Sequence, residues 1–348
     1  MDSDFRRNDK SSVEKVKMLD TIIYIGRFQP PTQAHLEIIK KAQKLAKKVI
    51  VIVGSAGIAR SARDPWTAEE RISCLKSVKE IDQSRLITVA LSDSNYDFPW
   101  WLGEIKKIVL RNYSAGSKIG IIGHRKDATG YYLNYFKKLE FITVDSLHKG
   151  LSATTVREKL FLKNKIEGAN KDVKLWLAIW LKANPEIFKN LKEEFEYIKE
   201  YKKSWQNAPY PPVFVTADAL VLCKKHVLVV ERGNHPGKGL FALPGGFLEQ
   251  TETLKACAMR ELKEEAGLAL SEKDFTAAQI FDEPFRDARG RTVTSVNLFK
   301  LKQKELPEIK AGDDACKAFW MPVKEIDGLK NKFFSDHYKI IKKMIKES

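Results

Sequence analysis

Two domains in series are predicted, a doubly wound parallel α/β sheet followed by an α+β sandwich, and three observations predict them. In the first half, short β-branched runs alternate with helical stretches and end at glycine or polar loops, the pattern of βαβ units. In the second half, strand-like runs dominate around one marked helix near Thr253 to Gly267. Between the halves, Ala208-Pro209-Tyr210-Pro211-Pro212 places three prolines within four residues, a stiff and extended connector. At 348 residues the chain is long enough for two cores. The expected divisions are a disordered polar lead over 1–17, a first domain over 18–185, a helical and Pro-rich linker over 186–212, and a second domain over 213–348.

Taken in order, Thr21 to Ile25 is a strand ending at Gly26, and a tight loop leads to a helix from about Gln33 to Lys47 with Leu36, Ile38, Ile39 and Leu45 on its buried side. Val49 to Gly54 reads as a fully buried strand, which completes one βαβ unit. Thr67-Ala68-Glu69-Glu70 is a capping box that opens another helix. Arg85 to Leu91 and Ile119 to Gly123 are further strands. Ligands in such sheets sit beyond the carboxyl ends of the strands, where the loops after Ile25, Val53, Leu91 and Ile122 gather. From Asp172 to Gln206 the pattern is helical with a break at Asn184-Pro185. The second half then gives strands over Val213 to Val221 and His226 to Glu231, and near Phe275–Phe281, Val293–Leu301 and Ala318–Pro322, with an amphipathic helix from Phe333 to Lys346.

The net charge of +16 favours anionic partners, and because the lysines recur on helix faces rather than in one long run, phosphorylated metabolites fit better than nucleic acid. The four cysteines lie far apart with no Cys-x-x-Cys pair, so neither a disulfide framework nor zinc is indicated, and a cytoplasmic setting is expected. No apolar run approaches a membrane span, so no membrane partner is expected. A homo-oligomer is compatible with this composition.

The strongest chemical signal begins at Gly246. Six residues later comes Glu252, and then Arg260-Glu261-Leu262-Lys263-Glu264-Glu265-Ala266-Gly267-Leu268. On a helix, Glu261, Glu264 and Glu265 leave from one face, while Leu254, Ala258 and Leu262 mark the apolar one. Three carboxylates so placed repel each other unless a cation neutralises them, and oxygen ligands suit Mg²⁺ or Mn²⁺. Arg260 is close enough to orient a carboxylate, and Gly267 stands where a left-handed cap is wanted. The stretch resembles the Nudix box, G-x5-E-x7-R-E-U-x-E-E-x-G-U, at every specified position. That resemblance implies Mg²⁺-dependent hydrolysis of a nucleoside diphosphate linked to another group, with Glu261, Glu264, Glu265 and Gly246 at the metal site and Glu264 and Glu265 catalytic.

In the first half, Gly26-Arg27-Phe28-Gln29-Pro30-Pro31-Thr32-Gln33-Ala34-His35 follows a strand and opens a helix, whose N-terminus favours an anion. This loop resembles the nucleotidylyltransferase signature, nearest to the archaeal-type nicotinamide mononucleotide (NMN) adenylyltransferases, G-R-F/M-Q-P-F-H-x-G-H. Thr32 replaces the first histidine and Ala34 the glycine, so His35 and nearby arginines must do more. Ser61-Ala62-Arg63-Asp64-Pro65-Trp66-Thr67-Ala68-Glu69-Glu70-Arg71 resembles the same group's R-D/N-P-F-T-A-G-E-R segment, with Arg63 matching a phosphate-binding arginine, and Leu151-Ser152-Ala153-Thr154-Thr155-Val156-Arg157 resembles I-S-x-T-x-x-R. The resemblance implies that Gly26, Arg27, Phe28, Thr32, His35, Arg63, Ser152, Thr154 and Arg157 hold ATP phosphates, with His35 and Arg157 stabilising charge in the reaction. In Asp93 to Trp101 it places Trp100 as the platform for nicotinamide and Asp97 as reader of the carboxamide, with Asp93 nearby; Trp101 is the alternative platform. Gly123-His124-Arg125-Lys126-Asp127 follows the fourth strand, and its positive residues could face either substrate's phosphates.

Phe281-Asp282-Glu283-Pro284-Phe285-Arg286-Asp287-Ala288-Arg289-Gly290-Arg291 concentrates arginines and acids in a turn between strands. It resembles the P-x-R-D-x-R-G segment of Nudix proteins that act on ADP-ribose or sense it, which implies ADP-ribose contacts for Arg286, Asp287 and Arg289. Glu283 or Asp287 is the candidate base. Together the resemblances imply a fused NMN adenylyltransferase and Nudix ADP-ribose pyrophosphatase, taking ATP, NMN and ADP-ribose with Mg²⁺ as cofactor. Two alternatives differ in kind: a Nudix half that senses ADP-ribose without cleaving it, or the same chemistries on other nucleotides.

Overall fold

The computed structural model describes residues 18–93, 96–112, 116–123, 139–144, 152–312 and 315–348. The expected polar lead and the loop positions His124 to Asp127 and Leu151 lie outside the described residues.

Strand β1 (Leu19–Gly26) leads through the tight loop to helix α1 (Gln33–Leu45), and β2 (Ala46–Val53) follows with no intervening turn. The helix is two residues shorter than its periodicity predicts because Ala46 already pairs with Leu19 in the parallel ladder. Helix α2 (Ala68–Lys76) starts at the predicted box, with the Thr67 hydroxyl accepting from the Glu70 amide and the Glu70 carboxylate from the Thr67 amide. Then come β3 (Leu86–Ala90), α3 (Phe98–Arg111), β4 (Ile119–Gly123), β5 (Glu140–Thr143) and α4 (Ala153–Lys163). The five strands pair in parallel in the order β3-β2-β1-β4-β5, the doubly wound arrangement, and Val49 to Val53 are wholly buried at its centre. The edge strand β5 was not foreseen; it is four residues long and half exposed, so it carries no buried apolar run.

Helices α5 (Lys171–Ala183) and α6 (Pro185–Ser204) break at Asn184-Pro185 as expected, since proline cannot continue the first helix's hydrogen bonds. Leu191 and Ile198 of α6 are buried in the first domain's core, and Phe188 and Phe195 stack on Phe161.

The second half contains β6 (Val213–Cys223), β7 (His226–Arg232), the short β8 (Phe241–Ala242) and β9 (Gly245–Phe247), and α7 (Leu254–Ala266). It continues with β10 (Phe275–Phe281), β11 (Arg291–Leu301), β12 (Ala315–Pro322) and α8 (His337–Lys346). The mixed sheet runs β10-β11-β6-β7-β12, with β8 on β7 and β9 on β6. One side packs on α7 through Ala258, Leu262 and Ala266, the other on α8 through Ile340, Ile341 and Met344. The final helix starts four residues later than the pattern suggests: Phe333 is buried and forms a bridge to Phe241 instead. Among the described residues no helix is long and apolar enough to cross a membrane.

Candidate active sites

The first site forms at the carboxyl ends of β1, β2 and β3. A Cβ on Gly26 would lie 2.9 Å from the Phe28 ring, so the glycine makes room for that ring, which turns back at φ +54° and is buried. Phe28 in turn packs 5.0 Å from the His35 imidazole. Thr32 caps α1: its amide donates to His35 Nδ1 at 2.9 Å, and its hydroxyl stands at the same distance. A ring nitrogen that accepts from an amide cannot also carry the proton, so Nε2 is the ring's donor.

Around this loop the arginines divide into two groups. Arg71 is buried and donates to the carbonyls of Arg27, Gly54 and Ser55, tying together the loops after β1 and β2. Its sequence neighbourhood was read for phosphate binding, yet its hydrogen bonds are structural; truncation would strand buried carbonyls at about 1–3 kcal/mol each. Arg157 donates to the Gln29 carbonyl (2.6 Å) and to Thr154 Oγ1 (3.2 Å), while Ser152 caps α4 by accepting from the Thr155 amide (3.1 Å). Burial pushes Arg157 down to about 10, and the neighbouring charges of Arg27 and Arg63 push the same way. Arg63 is lowered too, by burial and then by Arg27, with Asp64 opposing. Three guanidinium groups held this close create a positive field suited to an oligophosphate.

Asp93 accepts from the Ser55 amide (2.8 Å) and hydroxyl (2.7 Å), locking the loop after β3 to the loop after β2. Asp97 caps α3 by accepting from the Trp100 amide at 3.1 Å. The adjacent tryptophans separate cleanly: Trp100 is 45% exposed, whereas Trp101 is 9% exposed and stacks on Phe98 at 5.8 Å within the core. Trp101 is therefore a packing residue.

The second site is a cleft of about 730 Å³. Glu261 and Glu265, one helical turn apart on α7, reach it together with Gly246, Arg286, Asp287 and Arg289. A Cβ on Gly246 would lie 2.1 Å from Glu261 Oε1, so only glycine lets the carboxylate approach this backbone. Glu264 does not line the cleft; it is the more exposed of the three and accepts from Arg260 at 2.9 Å. Arg260 orients more than the single carboxylate expected of it, donating also to both oxygens of Glu252 and to Glu261. Gly267 ends the helix at φ +66° as predicted.

Burial pushes Glu265 up to about 8, against a hydrogen bond from the Gly245 amide and with help from Glu261. Glu261 is raised as well, by burial first and then by Glu264 and Glu252, despite Arg260. Among the described residues no three His, Cys, Asp or Glu side chains form a complete cage. Two crowded carboxylates with an all-oxygen donor set nevertheless fit a divalent cation of the Mg²⁺ type, which keeps waters and shares substrate phosphates.

In the 281–291 loop, Arg286 grips Asp336 with two bonds of 3.0 Å. Arg289 chelates Asp287, and its guanidinium lies 5.0 Å from the Phe247 ring and 5.7 Å from Tyr201. Burial works against the Asp287 carboxylate, but the Arg289 contact outweighs it and holds the group below its usual range. Glu283, raised by burial and by Asp336, is half-buried and outside the cleft lining. The cleft also holds Asp218, Arg232, Tyr197 and Tyr201, none of which the sequence singled out. The tyrosines come from α6, and Arg232 sits at the end of an ordinary buried strand, so no local pattern marks them.

A Cytidylyltransferase-like family model matches residues 23–159, and a NUDIX domain model matches residues 213–344. The crystal structure of a bifunctional NMN adenylyltransferase/ADP ribose pyrophosphatase from Francisella tularensis, complexed with AMP and a Mn ion, is 34% identical with a TM-score of 0.88. The match covers 95% of this chain and 99% of that one. A nicotinamide/nicotinic acid mononucleotide adenylyltransferase of Acinetobacter baylyi is 33% identical over 177 residues, 51% of this chain and 93% of that protein. An ADP-ribose pyrophosphatase of Methanocaldococcus jannaschii is 38% identical over 128 residues, 37% of this chain and 70% of that protein.

Proposed function

The chain belongs to the family of bifunctional NMN adenylyltransferase/ADP-ribose pyrophosphatases, and from that premise we propose how its two sites divide the work. The first half joins NMN to the AMP moiety of ATP, giving NAD and pyrophosphate. The second hydrolyses ADP-ribose to AMP and ribose 5-phosphate. The observation that carries this reading is the presence, on one chain, of a helix-opening loop with Arg27, Arg63 and Arg157 around it and a separate cleft lined by Glu261, Glu265, Arg286, Asp287 and Arg289.

In the first site the NMN phosphate attacks the α-phosphorus of ATP in line and pyrophosphate leaves, so the protein has only to position and neutralise charge. Arg27, Arg63 and Arg157 supply the positive charge, and His35 Nε2 and the amides at the starts of α1 and α4 supply donors. Trp100 offers its exposed face to nicotinamide. In the second site a divalent cation, when bound, would supply an activated water and neutralise the diphosphate. Glu261 and Glu265 would hold it, Arg260 orients Glu261 together with Glu252 and Glu264, and the Arg289–Asp287 pair presents donors and an acceptor to the substrate. The preferred partners are thus ATP, NMN and ADP-ribose. The test is to incubate the purified protein with NMN, ATP and Mg²⁺, and separately with ADP-ribose, NAD, other nucleoside diphosphate sugars and nucleoside triphosphates. NAD formation and preferential, metal-dependent cleavage of ADP-ribose are expected; faster cleavage of NAD or a triphosphate overturns the substrate reading.

Two substitutions probe recognition. Trp100→Ala is expected to raise KM for NMN far more than for ATP, since stacking contributes roughly 1–3 kcal/mol to that substrate alone. Trp101→Ala instead removes a core side chain at about 3–5 kcal/mol and should appear as a lowered Tm. A larger selective KM effect at Trp101 would reject the assignment. In the cleft, adenine is the aromatic part of ADP-ribose, so Tyr201→Ala should raise KM for ADP-ribose about tenfold and leave kcat near its starting value. An unchanged KM would show that this wall does not touch substrate.

A further inference from the structure

The loop read above as the nicotinamide site is held from outside its own domain. Tyr96, between Asp93 and Asp97, packs with the second domain's core: its ring meets Phe281 edge-on at 4.8 Å, and its hydroxyl donates to Asp336 Oδ2. Asp336 is buried and precedes α8; its two oxygens also receive Arg286. Three residues further, Lys339 on α8 donates from Nζ to the backbone carbonyl of Asp93 at 2.8 Å. Burial pushes the Lys339 ammonium below its usual range, and the nearby carboxylates Asp93, Asp336 and Glu283 oppose that shift. Thus Lys339 holds Asp93 and Asp336 holds Tyr96, which adjoins the Asp97 cap that sets the first turn of α3 and the place of Trp100.

We propose that the hydrolase half is a positioning part of the synthetase's nicotinamide-nucleotide site, with Lys339 and Asp336 holding Asp93 and Tyr96 where the adjoining Asp97 cap presents Trp100. The proposal rests on the reading of that loop as the NMN platform. The physical basis is preorganisation: a loop already fixed by packing and charge-assisted bonds loses less conformational freedom when its ligand arrives. Asp93 is fixed on its side-chain face by Ser55 of its own domain and on its carbonyl by Lys339 of the other, so each domain contributes half of the clamp. Asp336 also serves Arg286 in the cleft, so changing it would disturb both sites; Tyr96 and Lys339 are the cleaner positions.

The experiment uses the full chain. Tyr96→Phe and Lys339→Met are each expected to raise KM for NMN about tenfold, the scale of one lost bond to a charged group or to its carbonyl partner, with KM for ATP and kcat within about twofold. ADP-ribose hydrolysis stays at its starting rate in Tyr96→Phe, because Arg286 keeps its carboxylate. Trp100→Ala, assayed alongside, separates the two layers. If it raises KM for NMN while neither Tyr96→Phe nor Lys339→Met does, the clamp is overturned and the loop reading stands. If none of the three moves KM for NMN, both fall. Equal increases for NMN and ATP accompanied by a lower Tm in both variants would mark a purely structural interface and overturn the proposal as well.

Discussion

Glu265→Gln is expected to lower ADP-ribose hydrolysis by about a thousandfold while NAD synthesis continues at its starting rate. Glu265 and Glu261 are the two carboxylates of α7 that line the cleft, and Glu265 is the more costly of them to keep charged, pushed up to about 8 chiefly by burial. A buried carboxylate beside a second one is destabilising by itself and becomes favourable when a divalent cation joins it. Glutamine keeps the size and can still accept from the Gly245 amide, so the backbone of the cleft is preserved. What it loses is the charge that holds the cation and, through it, the charge developing on the diphosphate, a contribution on the order of a hundred- to a thousandfold for one preorganised group. A second readout needs no turnover. Mg²⁺ or Mn²⁺ should raise the wild-type Tm by mass action and raise the variant's much less, while the metal-free variant melts no lower than wild type. Full hydrolysis in the variant would exclude Glu265 from the metal site. Glu264→Gln is expected to do less, because Glu264 stands at the exposed edge and pairs with Arg260.

That difference between Glu264 and Glu265 marks where sequence reading stops. Periodicity places all three glutamates on one helix face, and the helix, its Thr253 cap and its Gly267 terminus are where the residues predict, because caps and apolar spacing are local. Which carboxylates enter the cleft depends on how α7 lies against β9, and no local signal carries that. The same holds across the molecule. The first domain's sheet order follows from alternating strands and helices, but β5 and the short β8 and β9 have too few residues to show alternation. Arg232, Asp218 and the α6 tyrosines join the cleft through strand pairing and helix packing alone. Arg286, implied as an ADP-ribose contact, does line the cleft, but that Asp336, fifty residues later in the chain, takes two of its bonds is not written in the motif. A motif names residue types at a fixed spacing, whereas a partner fifty residues away becomes visible only once the fold has closed.

His35→Ala is the matching test of the first half, with an expected fall in NAD synthesis of at least about a hundredfold and no change in ADP-ribose hydrolysis. The loop departs from the resembling signature at Thr32, where threonine replaces a histidine and so brings no second imidazole to the phosphates. The structure assigns Thr32 a different task. As the α1 cap, it engages His35 Nδ1 through its amide and hydroxyl, which fixes the ring and commits its proton to Nε2. Phe28, folded over Gly26, packs against the same ring and limits its rotation. A donor held this rigidly is worth far more than a free imidazole, because it does not have to reorganise as charge builds on the oligophosphate. Two of the surrounding arginines are already committed elsewhere, Arg71 to four carbonyls and Arg157 to Gln29 and Thr154. Thr32→Val should show an intermediate loss, since the amide bond to Nδ1 survives and only the hydroxyl goes. Initial rates with saturating ATP and NMN, together with Tm, decide the matter. Full synthesis in His35→Ala would remove the residue from the reaction, and an equal fall in hydrolysis with a lower Tm would mean that the loop supports the fold rather than the phosphates.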